Sequence, residues 1–263
     1  GQYECTLLTG VPTMFALLLR ERDLLEETDL SSVTRIGFGS APGSDVLYDR
    51  LQESFPNATV ENVYGVTEGG PIMFGPHPGG LERPRNSIGC VMEGAEVELV
   101  GGADEDQGVL HVRSPGVMLG YHNLPLETDA ALHDGWFDSG DVLRRDSEGF
   151  FYFVGRSDDM FVCAGENIYP GEVETLLERN GNVLQAVVVP VDDELKGKLP
   201  HAFVVPRPDS GISEEEIKKF ALDNGPAYAH PRRVHIVSEL PLTGAGKIDR
   251  SRLKTRAENE KTQ

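Results

Sequence analysis

The sequence predicts an α/β protein: the end of a parallel α/β sheet, then a small antiparallel β subdomain, then a compact α/β cap domain. Three observations predict it. A strand–turn–helix–strand pattern runs from Val33 to Tyr64, short β-branched alternating strands fill the stretch from Asn86 to Phe153, and helices alternate with strands again after the charged segment Gly155–Glu174. The expected division is 1–157, α/β over 1–85 and β-rich over 86–157, and 158–263 for the compact cap domain.

In chain order, residues 12–25 are expected as an amphipathic helix, with Pro12 near its start and a Leu17-Leu18-Leu19 cluster. Val33–Phe38 is a short strand ending in Gly39, Asp45–Phe55 a helix, and Thr59–Tyr64 a second strand ending in Gly65. A strand–helix–strand unit makes the two strands parallel, with a right-handed crossover. Ligands of such sheets bind beyond the carboxyl ends of the strands. The loops GSAPGS (39–44) and YGVTEGGP (64–71) both fall there, so topology alone makes them candidates for one shared site.

The loop YGVTEGGP has chemistry suited to a nucleotide. Tyr64 can flank a base, Thr67 offers a hydroxyl to a phosphate, Glu68 can hold a magnesium ion, and the glycines allow close backbone approach. A polar loop with a helix cap explains the same composition. Further on, EVELV, GVLHVRS, GVMLGYH and FFYFVG read as strands of an antiparallel subdomain. In GWFDSGDV (135–142), Trp136 and Phe137 read as packing residues, and Asp138 and Asp141 flank a glycine as in a tight turn.

The segment GRSDDMFVCAGENIYPGEVE reads as a polar turn, a strand from Met160 to Cys163, a break at Gly165 and a helix opening at Pro170, with Glu172 and Glu174 at its positive end. Charge at Arg156, Asp158 and Asp159 is by itself explained by a solvated face. PGEVETLLERN and SEEEIKKFALDNG are helices, the second with a Ser213 cap and Glu216 three residues on. VLQAVVVPV, HAFVVPR and RVHIVSELP are strands. Lys247 lies on a glycine-rich loop, TGAGK, and taken alone is a surface lysine. The charged tail after Lys254 is expected to be disordered.

Composition sets limits on function. The chain has 263 residues, 39% of them hydrophobic, enough for a packed core in one large domain or two smaller ones. Its net charge of −19 argues against nucleic acid as a partner, since phosphate-backbone binding needs clustered cations. Three cysteines (Cys5, Cys90, Cys163) stand far apart with no CxxC spacing. That pattern gives neither a disulfide framework nor a zinc site, and a reducing cytoplasm is the expected compartment. No apolar run is long enough for a membrane span, and the start shows no signal pattern. The opening TLLTGVPTMFALLLRERDLL already reads as the middle of a domain, so a fragment is expected. His77, His111 and His201 are scattered and read as surface or core residues.

Taken together, Gly155-Arg156-x-Asp158-Asp159, Gly165-Glu166-Asn167-Ile168 and Glu172-Val173-Glu174 resemble the hinge segment of the adenylate-forming superfamily, in its acyl- and aryl-CoA ligase branch. Asn62-x-Tyr64-Gly65-x-Thr67-Glu68 is similar to the same family's nucleotide loop, GSAPGS to its adenine shelf, Gly135-Trp136-x-x-Ser139-Gly140-Asp141 to its ribose motif, and LPLTGAGKIDR to its C-terminal lysine loop. The resemblance implies that backbone at Gly39, Ser40 and Ala41 meets the base. It implies that Asn62 bonds the adenine amino group, Tyr64 lines the base with Gly65 beside it, Thr67 contacts the α-phosphate and Glu68 ligates Mg2+. It further implies that Asp141 accepts the ribose hydroxyls, Arg156 reaches the ribose, Asp158 is the pivot, Gly165 lets the pantetheine arm pass, and Lys247 enters during adenylation. Tyr228 stands near the CoA position, followed by Ala229 and His230 where ligases often place an aromatic residue and a cation.

The implied activity is ATP-dependent conversion of a carboxylic acid to acyl-AMP, then thioester formation with CoA. The implied substrates and cofactors are ATP, Mg2+, CoA and a small carboxylic acid, with Ile72, Met73 and Phe74 hinting at an apolar acyl group. The family's phosphate loop and the upstream half of the sheet are not in this sequence, so weak adenylation by the chain alone is expected. Candidate partners are an N-terminal half or a second copy. Loading of a carrier protein, and a non-catalytic nucleotide-binding module, are the alternative functions.

Overall fold

The computed structural model describes residues 3–40, 43, 45–70, 73–244 and 247–261. They form two compact units, Gly1–Phe153 and Val154–Gln263.

The first unit opens with β1 (Leu7–Gly10), α1 (Pro12–Leu18), α2 (Arg22–Glu27), β2 (Arg35–Phe38), α3 (Asp45–Ser54) and β3 (Thr59–Asn62). The strands form a parallel sheet ordered β1-β2-β3. β1 is an addition to the expected pair; four residues with an exposed first position give too little alternation to be read as a strand. The single helix expected over 12–25 is two. The N–H groups of Arg20 and Glu21 turn back to Leu17 and Leu18, three residues earlier, and Glu21 leaves the helical region before α2 begins. Phe15, Ile36, Phe38, Leu47, Leu51 and Phe55 are buried together in this core.

The β-rich part follows with β4 (Phe74–Gly75), β5 (Ser87–Val91), β6 (Glu96–Asp104), β7 (Gln107–Arg113), α4 (Pro125–Ala131), β8 (Leu132–His133), β9 (Trp136–Arg145) and β10 (Phe151–Arg156). They make a seven-stranded sheet in the order β4-β5-β10-β9-β7-β6, with β8 paired to β9. Two expectations are corrected here. GVMLGYH is a loop rather than a strand, because its glycines break the extended run and Gly120 takes φ +147. GWFDSGDV is a bulged strand rather than a tight turn. Asp138 pairs with His111 and Val142 with Val109, so three residues of β9 stand opposite Leu110 alone, and Gly140 takes φ +66.

The second unit contains β11 (Phe161–Cys163), β12 (Glu166–Ile168), α5 (Pro170–Glu178), β13 (Val183–Asp193), β14 (Gly197–Pro206), α6 (Glu214–Asn224), β15 (Arg233–Ile236) and α7 (Arg250–Lys261). The sheet runs β12-β11-β14-β13, with β15 parallel to β14. The expected strand–turn–helix at Met160–Glu178 contains an extra strand, β12. Ala164 and Gly165, both at positive φ (53° and 91°), form a two-residue turn that folds it back on β11. Ser213 and Glu216 close the expected capping box on α6.

Up to Lys261 the tail is a helix rather than the expected disordered segment. Alternate residues of β13 face opposite ways: Ala186 and Val188 join the core with Val173, Leu177 and Ile217, while Val187, Val189 and Val191 pack with Leu253 and Ala257 of α7. A continuous apolar strand needs cover on both faces, and α7 supplies the second. Among the described residues, no helix is long and apolar enough to cross a membrane.

Candidate active site

In-register parallel pairing brings Gly10, Phe38 and Asn62 to one edge of the first sheet, so the loops after β2 and β3 leave side by side. They touch. A Cβ on Gly39 would sit 2.5 Å from the Val63 carbonyl oxygen, which is why only glycine fits there. The next residue, Ser40, holds φ +65, an uncommon conformation for a side-chain-bearing residue. Ala41, expected on the same shelf, lies outside the described residues, as does Ile72 of the apolar run.

Asn62 ends β3 and is buried. Its carbonyl accepts a hydrogen bond from Arg83 Nη2 at 2.6 Å, and Arg83 Nε donates to the Ser87 carbonyl. Burial pulls the Arg83 pKa down, and nearby Glu61 opposes this. Arg83 therefore ties the end of β3 to the start of β5.

Two residues on, Tyr64 donates its hydroxyl to Asp141 Oδ2 at 2.5 Å, and its ring meets Phe74 edge-to-face. Asp141 is itself buried, 6% exposed, in the β9 bulge. The bulge has its own internal bonds: the Asp141 N–H donates to Ser139 Oγ at 3.0 Å, Ser139 Oγ donates to the Leu110 carbonyl, and the Gly140 N–H donates to Asp138 Oδ1. The loop after β3 and the Asp141 carboxylate thus share one side of the unit, held together by Tyr64.

Past Gly65, which is exposed, the chain makes a tight turn closed by the Val66–Gly70 bridge. Thr67 is exposed at this turn and Glu68 half-buried. Glu68 is held twice from the GVMLGYH loop, its carbonyl accepting from the Met118 N–H at 2.7 Å and its Oε1 from the Tyr121 hydroxyl at 3.0 Å. Gly69 and Gly70 allow this packing: a Cβ on Gly69 would press on Val66 and Val112, and Gly70 stands against Gly116 with φ +101. Neither Tyr121 nor Arg83 is marked by the sequence. Their partners Glu68 and Asn62 lie far along the chain, and no local pattern announces them.

Among the described residues, no cluster of three or more His, Cys, Asp or Glu side chains could by itself hold a metal. A lone carboxylate is nonetheless an adequate protein ligand for Mg2+, which is usually bound by one or two carboxylates plus substrate phosphates and water. Glu68, oriented by Tyr121 beside the exposed Thr67, fits that requirement.

The remaining candidates belong to the second unit. Arg156 ends β10 and grips Asp158 with two hydrogen bonds, Nε to Oδ1 at 3.0 Å and Nη2 to Oδ2 at 3.3 Å. This guanidinium holds the Asp158 carboxyl below its ordinary range. Gly165 sits in the β11–β12 turn, where its positive φ is sufficient reason for glycine, and a Cβ there would meet open space. Tyr228 is partly exposed in the turns after α6. Lys247 is exposed on a hairpin closed by the Leu242–Ile248 bridge, with the Thr243 N–H donating to the Lys247 carbonyl at 2.7 Å.

A polar cradle beyond the carboxyl ends of parallel strands, with a buried carboxylate and a half-buried one, defines a ligand-site class of α/β protein. The family models agree: residues 1–122 match that of the AMP-binding enzymes, and residues 172–247 match the AMP-binding enzyme C-terminal domain. The chain belongs to the AMP-binding, adenylate-forming enzyme family. It is 34% identical over 258 residues to a long-chain-fatty-acid–CoA ligase of Bacillus subtilis, covering 96% of this chain and 46% of that protein. It is also similar to an anthranilate CoA ligase solved with anthranoyl-AMP, at TM-score 0.85 and 27% identity, over 100% of this chain and 52% of the other. An amide bond synthetase from Marinactinospora thermotolerans superposes at TM-score 0.87 with 28% identity, over 97% and 53% of the two chains. The chain spans about half the length of the curated relatives it matches.

Proposed function

We propose that this chain is the nucleotide-reading and lid-bearing part of an acid–CoA ligase. The observation that carries the reading is the Tyr64–Asp141 hydrogen bond, which puts the loop after β3 and the β9 carboxylate within reach of a single AMP. Asn62 and the Gly39-Ser40 backbone would receive the adenine, with Tyr64 lining it. A carboxylate offers about four lone-pair sites, so Asp141 can accept from Tyr64 and still meet a ribose diol. Arg156 would approach the ribose, Thr67 the α-phosphate. Mg2+ held at Glu68 would supply charge neutralisation at the phosphates.

In the first half-reaction a carboxylate oxygen of the acid bonds to the α-phosphorus of ATP, and the bond to the β-phosphate oxygen breaks, giving acyl-AMP and pyrophosphate. Lys247 would offset the negative charge that builds between carboxylate and phosphate. In the second, after a turn about Asp158, the CoA thiol loses its proton and its sulfur bonds to the acyl carbon, with AMP leaving. Gly165 and Tyr228 would border the path of CoA. A free carboxylate is a poor acyl donor; a mixed anhydride with AMP is a good one.

The likeness to an amide bond synthetase supports a second reading for the acceptor only, an amine in place of the CoA thiol. The reading is tested in two parts. Calorimetry on this chain should detect AMP binding that weakens at least tenfold in Asp141→Ala. In the whole protein that contains this chain, pyrophosphate release across a panel of acids should fall about 100-fold or more in Lys247→Ala, a loss typical of a removed electrostatic contact. AMP binding that ignores Asp141, or pyrophosphate release that ignores Lys247, would overturn it.

A further inference from the structure

Glu174, in the Glu172-Val173-Glu174 stretch, has no role in the reaction above, yet it is the most heavily bonded carboxylate near the lysine hairpin. Its Oε1 accepts from Arg250 Nη1 at 2.6 Å and its Oε2 from Arg250 Nη2 at 2.8 Å, a two-pronged pair with Glu174 only 14% exposed. The same Oε1 takes the Val188 N–H of β13 at 2.7 Å, and Arg250 Nη1 also donates to the Val188 carbonyl at 3.2 Å. Three hydrogen bonds thus fix Arg250 to α5 and to the outer edge of β13, and a fourth ties Glu174 to the same strand.

Arg250 stands three residues after Lys247, at the foot of its hairpin. The hairpin is closed by the Leu242–Ile248 bridge, by the Thr243–Lys247 backbone bond, by the Lys247 N–H to Thr243 Oγ1 at 3.3 Å and by the Asp249 N–H to the Pro241 carbonyl at 2.8 Å. These bonds hold the hairpin to itself. Arg250 is the adjoining residue that carries side-chain bonds from its foot to the sheet. Docking of α7 has a separate basis in the burial of Leu253 and Ala257.

We propose that Glu174 and Arg250 are positioning residues for Lys247, setting the direction in which its hairpin presents the ammonium. This rests on the role given to Lys247 above. A cation on a long flexible stem stabilises a transition state only if its carrier is already aimed, because a misplacement of about 1 Å can cost on the order of 100-fold in rate. A guanidinium forked on a carboxylate fixes orientation in a way a lysine ammonium cannot.

The test compares Arg250→Lys, which keeps the charge and loses the fork, with Glu174→Gln, which keeps the shape and loses the charge, and with Lys247→Ala as reference. Hydrogen exchange on this chain should show faster amides at 242–244 and 247–248 in both variants, with those of 253–257 unchanged. In the whole protein, the adenylation kcat should fall at least tenfold with the KM for ATP within twofold. Thioester formation from supplied acyl-adenylate should stay within twofold. Adenylation near wild-type in the variants overturns the proposal, as does equal loss in both half-reactions, the mark of general unfolding. If Lys247→Ala itself leaves adenylation intact, the fault lies with the lysine's assigned role, and the positioning argument falls with it.

Discussion

Glu178 shows how one side chain can make the second unit sensitive to pH. It lies on α5 four residues after Glu174, and its Oε1 accepts the Ala186 N–H of β13 at 3.0 Å. Burial pushes its carboxyl up to about 7, the Ala186 bond opposes this and neighbouring Glu174 adds to it. Part of the residue reaches the surface, but the carboxyl itself faces the strand. A raised acid pKa means that the folded state keeps a proton the unfolded chain has lost. Its contribution is therefore full below about pH 4.5 and declines as pH rises towards 7. Glu178→Gln should flatten this dependence and raise stability at pH 7.5 by about 1–3 kcal/mol, given ~1.4 kcal/mol per pKa unit. Urea midpoints from pH 4.5 to 7.5 check this; parallel curves for the two proteins would contradict it.

At the scale of an element, the β9 bulge decides where Asp141 points. A regular strand alternates its side chains and would leave spacing 138–141 no freedom; the bulge re-aims the carboxylate towards Tyr64. Its linchpin is Ser139, a buried hydroxyl bonded at both ends, to the Asp141 N–H and the Leu110 carbonyl. Ser139→Ala leaves both backbone groups without that partner and should cost about 1–3 kcal/mol. AMP affinity should fall as well, by about tenfold, in calorimetry. Unchanged affinity in a destabilised variant would mean that the bulge geometry survives without the hydroxyl. A different device protects β13, whose outward N–H groups at Ala186 and Val188 are taken by the two α5 glutamates, so that this edge is not open to pairing.

For the molecule as a whole, the contrast is β1, an edge strand with no such cover among the described residues. Leu7 of the strand and Met14 and Leu17 beside it are each more than half exposed. Leu8, Met14, Phe15 and Leu17 line an apolar hollow of about 500 Å³ beside the strand. An apolar edge of this kind favours association. The chain should therefore gain mass with concentration in sedimentation velocity, and Leu7→Lys should reduce that gain severalfold. A monomer at every concentration would refute the expectation.

Much of this protein was legible in its residues. The parallel unit, the capping box at Ser213 and Glu216 and the positions of the loops after β2 and β3 follow from hydrophobic period and turn chemistry, which act over a few residues. Even the α7 helix left a trace, since the continuous apolar run of β13 called for cover on both faces. The break between α1 and α2, the β11–β12 hairpin and the β9 bulge left weaker traces, because each departs from regular alternation within a few residues. What the residues could not give was the choice of partners. Tyr64 and Asp141 lie 77 positions apart, Tyr121 and Glu68 lie 53 apart, and Arg250 and Glu174 lie 76 apart. Strand order and register bring these groups together, and both are set by packing over the whole unit, so the site's internal bonds exist only once the tertiary structure does.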